Sequence, residues 1–267
     1  MVIGGTGVIG RAVAEKLYQQ GANVALTYQS HKEGAIPGFS HRGDPRLAAF
    51  MLDVRKPKLV KNVVASVVRK FGPIHILVNC SGVLGPVGAA HVVSPAEWRK
   101  ALEINLLGSF YVVRAVLPSM ISLRRGKIIH FSGGGAAYAR PYFTSYSASK
   151  AALVRFTESL SLELLDKNIQ VNAIAPGPVK SRMWDELRAA GDAGGPQALE
   201  ELRRMEATGG VPAERAVALV LFLVSSRSNG LTGRLISAVH DKWENLEPRI
   251  PDIISSDAGT LRRVPLE

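Results

Sequence analysis

The chain has very little cysteine: Cys80 is the only one in 267 residues. A single cysteine excludes an intrachain disulfide and favours a reducing compartment. Long hydrophobic runs are also absent, since residues 216–224 form the longest, far short of the ~20 residues that span a bilayer. Met1-Val2-Ile3 leads directly into a glycine turn, with no signal-peptide pattern before it. We therefore expect a cytoplasmic protein with no membrane partner.

Acidic residues are outnumbered, with 22 Asp and Glu against 33 Lys and Arg, a net charge of +11. The basic residues are dispersed in short groups, such as Arg203-Arg204 and Arg262-Arg263, and they form no long tract interleaved with aromatic residues. This distribution favours a solvated surface first and an anionic substrate or phosphorylated cofactor second. We predict no nucleic-acid partner and no metal site.

Apolar segments of strand and helix length alternate along the whole chain. This alternation predicts an α/β fold, a Rossmann-type doubly wound parallel sheet of about seven strands with helices on both faces. The predicted strands are residues 1–3, 23–27, 49–53, 74–79, 127–131, 170–175 and 234–238, and the predicted helices are residues 9–20, 58–70, 95–123, 145–165 and 212–223. Residues 30–45 are predicted to be a loop. Residues 1–239 form one predicted domain, followed by an extension, 240–267, that either packs on a neighbouring subunit or is mobile.

A glycine turn follows the first predicted strand. Gly5, Gly7 and Gly10 fit the pattern G-x-G-x-x-G, and a helical pattern begins directly after them. Glycines let the backbone approach a pyrophosphate, and a helix N-terminus attracts its negative charge. The turn therefore predicts a dinucleotide site.

Tyr146 and Lys150 lie four residues apart in a helical pattern, so they share one face of the helix. A free phenol has a pKa near ~10, and a nearby ammonium lowers it by favouring the phenolate. The pair is therefore a candidate general acid and base for a carbonyl or alcohol oxygen.

Further motifs stand in order along the chain: Asp53-Val54, Asn79-Cys80-Ser81-Gly82, Asn105 and Pro176-Gly177. With the glycine turn and Tyr146…Lys150, this order resembles the single-domain branch of the short-chain dehydrogenase/reductase family. The resemblance covers roughly residues 2–239 and is as close to 3-oxoacyl-acyl-carrier-protein reductases as to any other subgroup.

The resemblance implies a role for each matching residue. Tyr146 is the expected acid and base, Lys150 lowers its pKa and holds the nicotinamide ribose, and Asn105 anchors a water molecule. Asp53 bonds the adenine ring. The implied cofactor-binding residues are Gly4, Gly5, Gly7, Val8, Ile9, Gly10, Tyr28, Gln29, Asp53, Val54, Asn79, Gly82, Lys150, Pro176, Gly177, Val179 and Ser181.

One departure concerns the catalytic serine, which in the family stands thirteen residues before the tyrosine. Gly133 occupies that position here, and Ser132 precedes it. A one-residue loop insertion would return Ser132 to the site, so Ser132 is our candidate. The alternatives are a hydroxyl from Thr144 or Ser145, or loss of activity.

The cofactor is expected to be NADP in preference to NAD. No carboxylate follows the second strand at Tyr28-Gln29 until Glu33, so a 2′-phosphate would meet no repulsion there. Arg11, Ser30 and Lys32 are candidates to contact that phosphate.

The predicted function is hydride transfer between the nicotinamide and a carbonyl or secondary-alcohol substrate. A lid, residues 181–211, is predicted to close the substrate pocket with the apolar side chains Met183, Trp184, Leu187, Leu199 and Leu202.

Two alternatives stay open: a nucleotide-binding protein with weakened catalysis, suggested by Gly133 and Val8, and a nucleotide-sugar epimerase or dehydratase, suggested by the spacing of Gly4, Gly7 and Gly10. The resemblance also implies a homo-oligomer, a tetramer or dimer, built through residues 95–123 and 145–165 and the last strand near Leu235.

Overall fold

One parallel sheet forms the centre of the molecule in a computed structural model that describes residues 1–29, 43–264 and 266. Its seven strands run in the order 3-2-1-4-5-6-7, and every neighbouring pair is parallel. The order reverses direction between the first and fourth strands, which places a crevice at their carboxyl ends. The strands are β1 Val2–Ile3, β2 Val24–Tyr28, β3 Leu47–Met51, β4 Ile76–Asn79, β5 Gly126–Phe131, β6 Ile169–Ala175 and β7 Leu235–Ser237.

Helices cover both faces of this sheet, as buried parallel strands rich in Val, Ile and Leu require. Buried side chains of α1 (Val8–Gln19) and α8 (Ala213–Val224) form one core with the sheet, and those of α2 (Pro57–Phe71), α4 (Gly108–Leu123) and α5 (Thr144–Glu163) form the other. The predicted fold class is therefore confirmed. The helices are α1 Val8–Gln19, α2 Pro57–Phe71, α3 Pro95–Leu102, α4 Gly108–Leu123, α5 Thr144–Glu163, α6 Arg182–Ala190, α7 Gly195–Thr208, α8 Ala213–Val224 and α9 Ile250–Ile254.

The single helix predicted for residues 95–123 is divided in the structure. A π-helical turn, Glu103–Leu107, separates α3 from α4. Such turns insert one residue into a helix and occur frequently at functional sites. Gly108 follows the turn, and a Cβ there would lie 2.6 Å from Val54 Cγ2, so the missing side chain lets the helix pass close to the end of β3.

The continuous helical segment formed by α3, the π turn and α4, Pro95–Leu123, is also strongly apolar. By length and composition alone it qualifies to cross a membrane, with a mean hydropathy of 1.6 in its most apolar window. In the fold, Val112, Val113, Val116 and Met120 of this segment are buried against the sheet. Its other side exposes Phe110 and Ile121.

The C-terminal extension packs on its own domain. Trp243, Ile250 and Ile253 are buried in the same core as α1 and α8. The extension then reaches the open edge of the sheet, where the Leu235 amide donates to the Gly259 carbonyl at 2.7 Å. The extension therefore makes intrachain contacts, one of them at Leu235 on the strand predicted to meet another subunit, and its packing on a neighbouring subunit stays a prediction.

The predicted loop over residues 30–45 lies largely outside the described residues. Residues 43–46, where the description resumes, form a turn that leads into β3.

Candidate active site

A cleft of about 1020 Å³ opens at the carboxyl ends of the strands. It runs from the glycine turn, past Tyr146 and Lys150, to the two helices of the predicted lid. Its lining includes most of the predicted site residues: Gly4, Gly7, Val8, Ile9, Gly10, Tyr28, Gln29, Asp53, Val54, Gly82, Ser132, Tyr146, Lys150, Pro176, Gly177, Val179 and Ser181. Gly5, Asn79 and Asn105 are predicted site residues that do not line the cleft.

The glycine turn joins β1 to α1 in a conformation that side chains would prevent. Gly4 has φ +69°, and a Cβ on Gly10 would lie 2.3 Å from the Gly4 carbonyl oxygen. A Cβ on Gly5 would lie 2.7 Å from Leu26 Cβ, so the missing side chain lets the turn pack on β2, and a contact of Gly5 with the cofactor stays a prediction. Gly7 is the N-cap of α1, and a Cβ there would meet nothing closer than 3.5 Å. The turn therefore leaves the N-terminus of α1 open to the cleft.

Asp53 lies where β3 leads into the cleft. Its carboxylate accepts hydrogen bonds from Arg55 Nε at 3.0 Å and Arg55 Nη2 at 2.7 Å. This fork holds the pKa of Asp53 below its usual value, so the group is a fixed anionic acceptor. Ser30, Lys32 and Glu33, which entered the prediction of cofactor preference, lie outside the described residues.

Tyr146 and Lys150 are both almost completely buried on α5. Lys150 Nζ donates to the Phe131 carbonyl at 2.8 Å and lies 5.8 Å from the centroid of the Tyr146 ring. Burial raises the pKa of Tyr146 to about 12 and lowers that of Lys150 to about 8. Removal of the phenolate from water is the largest influence on the pKa of Tyr146, and Arg140 is the cation that lowers it here, so the lowering by Lys150 stays a prediction.

Ser132 and Gly133 follow β5, and Gly133 lies beside Tyr146. Ser132 lines the cleft, its side chain is buried, and its Oγ has no hydrogen-bond partner among the described residues. At Gly133, a Cβ would lie 2.2 Å from Tyr146 Oη. The tyrosine hydroxyl therefore occupies the space that a side chain at position 133 would need. The alternative hydroxyls of Thr144 and Ser145 do not line the cleft.

Asn105, in the π turn, holds α5 in place. Its Oδ1 accepts from the Val83 amide at 2.9 Å, and its Nδ2 donates to the Val83 carbonyl at 3.0 Å and to Ser149 Oγ at 2.9 Å. Ser149 Oγ in turn donates to the Tyr146 carbonyl at 2.8 Å. Because Asn105 is fully buried, these bonds fix the helix that carries Tyr146.

Asn79, at the end of β4, continues this network. Its Nδ2 donates to Ser109 Oγ at 2.8 Å, and Ser109 Oγ donates to the Asn105 carbonyl at 2.8 Å. Asn79 therefore helps to hold Asn105 in place without lining the cleft. The resemblance implied instead that Asn79 binds the cofactor.

The lid consists of α6, a short 3-10 turn and α7. Leu187 and Leu202 are buried in a small core that also contains Tyr146, and Met183 packs against this core. Trp184 is buried as well. Gly209 and Gly210 follow α7 with φ of +74° and +76°, a conformation that favours glycine.

The loop from Gly133 to Phe143 touches this lid at two points. The Tyr142 ring fills the space beside Gly195, and Arg140 Nη2 donates to Glu201 Oε2 at 2.5 Å. Arg140, Tyr138 and Glu201 all line the cleft, and sequence reasoning missed them because no motif includes them.

The chain is similar to many known proteins. Residues 1–192 match the profile of the family described as short chain dehydrogenase. The 2,3-dihydro-2,3-dihydroxybenzoate dehydrogenase of Bacillus subtilis is 35% identical over 231 residues, 84% of this chain and 87% of that protein. A 3-oxoacyl-acyl-carrier-protein reductase of Thermotoga maritima is 31% identical over 248 residues, 88% of this chain and 94% of that protein.

Solved structures give the same result. An actinorhodin polyketide ketoreductase variant with NADPH superposes with a TM-score of 0.80 at 27% identity, covering 88% of this chain and 93% of that one. An NAD⁺-bound xylitol dehydrogenase superposes with a TM-score of 0.77 at 26% identity, covering 88% and 95%. The family and the reaction type expected from the motifs are confirmed: this chain belongs to the short-chain dehydrogenase family and is an oxidoreductase.

Proposed function

We propose that the chain reduces a carbonyl group, or oxidises the corresponding secondary alcohol, with Tyr146 as the proton donor and acceptor. The observation that carries this proposal is the position of Tyr146. It lines the same cleft as the glycine turn, Lys150 and Ser132. A dinucleotide laid along the cleft would therefore share it with a tyrosine whose helix is fixed by the Asn105 network.

The cofactor is NAD(P), and the residues present fit it. Gly7 leaves the N-terminus of α1 open for the pyrophosphate, and no acidic residue stands in the first turn of α1 to repel it. Asp53 and Val54 would hold the adenine end, and Pro176, Gly177, Val179 and Ser181 the nicotinamide end. We propose NADP as the preferred form, because neither Tyr28 nor Gln29 at the end of β2 brings a carboxylate toward the 2′ position.

When bound, the nicotinamide supplies or accepts the hydride. Tyr146 gives its proton to the substrate oxygen in the reducing direction, and its raised pKa keeps that proton available at neutral pH. Lys150, anchored on the Phe131 carbonyl, places its ammonium beside Gly82 and the ribose position. Ser132 Oγ is an unpartnered donor in the cleft, suited to hydrogen-bond the developing alkoxide.

We also propose that the protein is a homo-oligomer, a dimer or tetramer. Apolar side chains lie exposed along α4 and α5: Phe110, Ile121, Leu123 and Leu162. Phe110 also packs edge-to-face on Phe156, with centroids 6.2 Å apart, so the two helices meet at this pair of rings. Apolar surfaces of this kind mark interaction sites. Light scattering of the wild type and of Phe110→Glu tests the assignment, because the charged variant should be smaller.

Cytoplasmic location, and the lack of nucleic-acid and membrane partners, remain part of the proposal. They rest on the single cysteine and the dispersed positive charge.

A protein that binds the cofactor but turns over poorly is the second candidate, because Gly133 stands at the position of the family's catalytic serine. The epimerase alternative gains no such support. Residues 1–29 and 43–264 form one sheet with a two-helix lid, and they include no separate substrate domain.

A binding titration tests the proposal. Trp184 lines the cleft, so energy transfer from tryptophan to reduced nicotinamide reports occupancy. We expect micromolar binding of NADPH, weaker binding of NADH, and consumption of NADPH with at least one ketone or aldehyde of a carbonyl panel. Binding without turnover would favour the second candidate, and binding of neither cofactor would refute both.

A further inference from the structure

One arginine in the cleft stands apart from the rest of the positive charge. The side chain of Arg140 is only 12% exposed, whereas those of Arg182 and Arg204, which also line the cleft, are 65% and 70% exposed. A guanidinium withdrawn from water needs a counter-charge, because burying it alone is strongly unfavourable. The surroundings of Arg140 therefore indicate what it binds.

In this structure the counter-charge comes from the opposite wall. Arg140 belongs to the loop that follows β5, and its partner Glu201 belongs to α7 of the lid. The guanidinium also stacks on the Phe143 ring, 3.9 Å from its centroid, which fixes the plane of its hydrogen-bond donors. Among the described residues, Arg140 makes one hydrogen bond, through Nη2. The other donors of the fork are available for a second carboxylate.

Both members of the pair lie close to the reacting group. Arg140 favours the ionised form of Tyr146 and Glu201 disfavours it, the largest charge effects on that tyrosine after its burial. Arg140, Glu201 and Tyr146 also line the same cleft, and Phe143, on which the guanidinium stacks, belongs to the same small core as Tyr146. An anion that binds Arg140 would therefore share the cleft with the Tyr146 hydroxyl.

We propose that Arg140 is a specificity-determining residue that binds a carboxylate carried by the substrate, and that Glu201 occupies the same arginine until the substrate arrives. The inference rests on the proposed function, because it deepens the assignment of the carbonyl substrate to a keto acid or hydroxy acid. It also accounts for movement of the lid, because the incoming carboxylate releases Glu201, which lies on α7 of the lid, from Arg140.

Keto acids paired with their methyl esters provide the test: acetoacetate, levulinate and meta-acetylbenzoate, each beside its ester. Acid and ester share the carbon chain and the reacting carbonyl, and the ester replaces the charged carboxylate by a neutral group that is one methyl larger. We expect the wild type to prefer at least one acid over its ester. Arg140→Gln should lower kcat/KM for that acid by about 10- to 100-fold, the range for a lost hydrogen bond to a charged group, and change the ester by less than about threefold.

Glu201→Gln distinguishes substrate binding by Arg140 from a purely structural role of the Arg140–Glu201 ion pair. Both variants break this ion pair, so a structural role alone predicts that both lower activity in the same way. Recognition predicts opposite signs: Glu201→Gln removes the competing carboxylate and lowers KM for the acid, whereas Arg140→Gln raises it. Arg204→Gln is the matched control, because it removes an exposed arginine of the same cleft and should leave the preference for the acid unchanged.

Calorimetric binding of the acid to the protein saturated with oxidised cofactor keeps this test separate from turnover. Acid binding that Arg140→Gln abolishes supports the inference even if no substrate is turned over, in which case the proposed function alone fails. Equal losses for acid and ester, variants that change in the same direction, or a wild type that neither binds nor turns over any acid would overturn the inference.

Discussion

Gly133→Ala should disable catalysis while leaving the fold and the cofactor site intact. An ideal Cβ at position 133 lies 2.2 Å from Tyr146 Oη and 3.1 Å from Cζ, closer than packed atoms approach. The hydroxyl must therefore retreat by about 1 Å, and a displacement of that size in a reacting group lowers the rate on the order of 10²-fold. Overpacking at a buried site costs about 1–3 kcal/mol, so the protein should stay folded.

The assay has three readouts: kcat/KM with the best carbonyl substrate, NADPH affinity by energy transfer, and the thermal midpoint. We expect kcat/KM to fall about 10²-fold, with NADPH binding within about threefold of the wild type. Gly134→Ala is the control, because its Cβ would meet only Tyr138 Oη, at 3.0 Å, and Tyr138 is an exposed side chain that can move. Gly133→Ser should behave like Gly133→Ala. Wild-type turnover in Gly133→Ala would refute the assignment of this space to the tyrosine.

Three more outcomes follow from the structure. Gly7→Ala should weaken NADPH binding by about tenfold or more at an unchanged thermal midpoint. Gly10→Ala, whose Cβ would lie 2.3 Å from the Gly4 carbonyl oxygen, should lower the thermal midpoint itself. The reverse pattern would contradict the roles given to these two glycines. Burial lowers the pKa of His130 from its ordinary value of 6.5 to about 3. Between pH 6.5 and pH 3 the unfolded chain therefore binds more protons at His130 than the native chain does, and the free energy of unfolding falls as the pH falls. His130→Leu should remove this loss in urea titrations at neutral and acid pH, and an equal acid sensitivity in the variant would count against it. Lys150 has a pKa of about 8 and Tyr146 one of about 12, so Lys150 loses its proton first as the pH rises. We expect kcat/KM for reduction to fall as the pH rises through about 8. A kcat/KM that stays flat into alkaline pH would exclude a role for the Lys150 charge.

Much of the fold could be predicted because parallel strands are buried on both faces. Strands such as β4 and β6 are nearly continuous apolar runs, and the segments between them have helical length. The glycine turn and the Tyr146…Lys150 spacing are local patterns, so the sequence alone places them at the carboxyl edge of the sheet. Gly5 shows the limit of such patterns, since the motif does not reveal its packing on Leu26.

Features that depend on burial or on distant contacts could not be predicted. The direction of the Tyr146 pKa shift follows from its removal from water, which spacing does not reveal. The Arg140–Glu201 pair joins residues 61 positions apart and belongs to no motif. The sequence of the extension is mostly polar, so the burial of Trp243, Ile250 and Ile253 in the core could not be predicted from it.

Tyr146→Phe tests the central claim most directly, because it removes one hydroxyl from a buried ring and nothing else. NADPH binding and NADPH-dependent carbonyl reduction should be measured on the same preparations of the wild type and the variant. We expect the variant to bind NADPH as the wild type does and to show no measurable turnover. Turnover in Tyr146→Phe at a rate near that of the wild type would show that the proton comes from another group and would contradict the account.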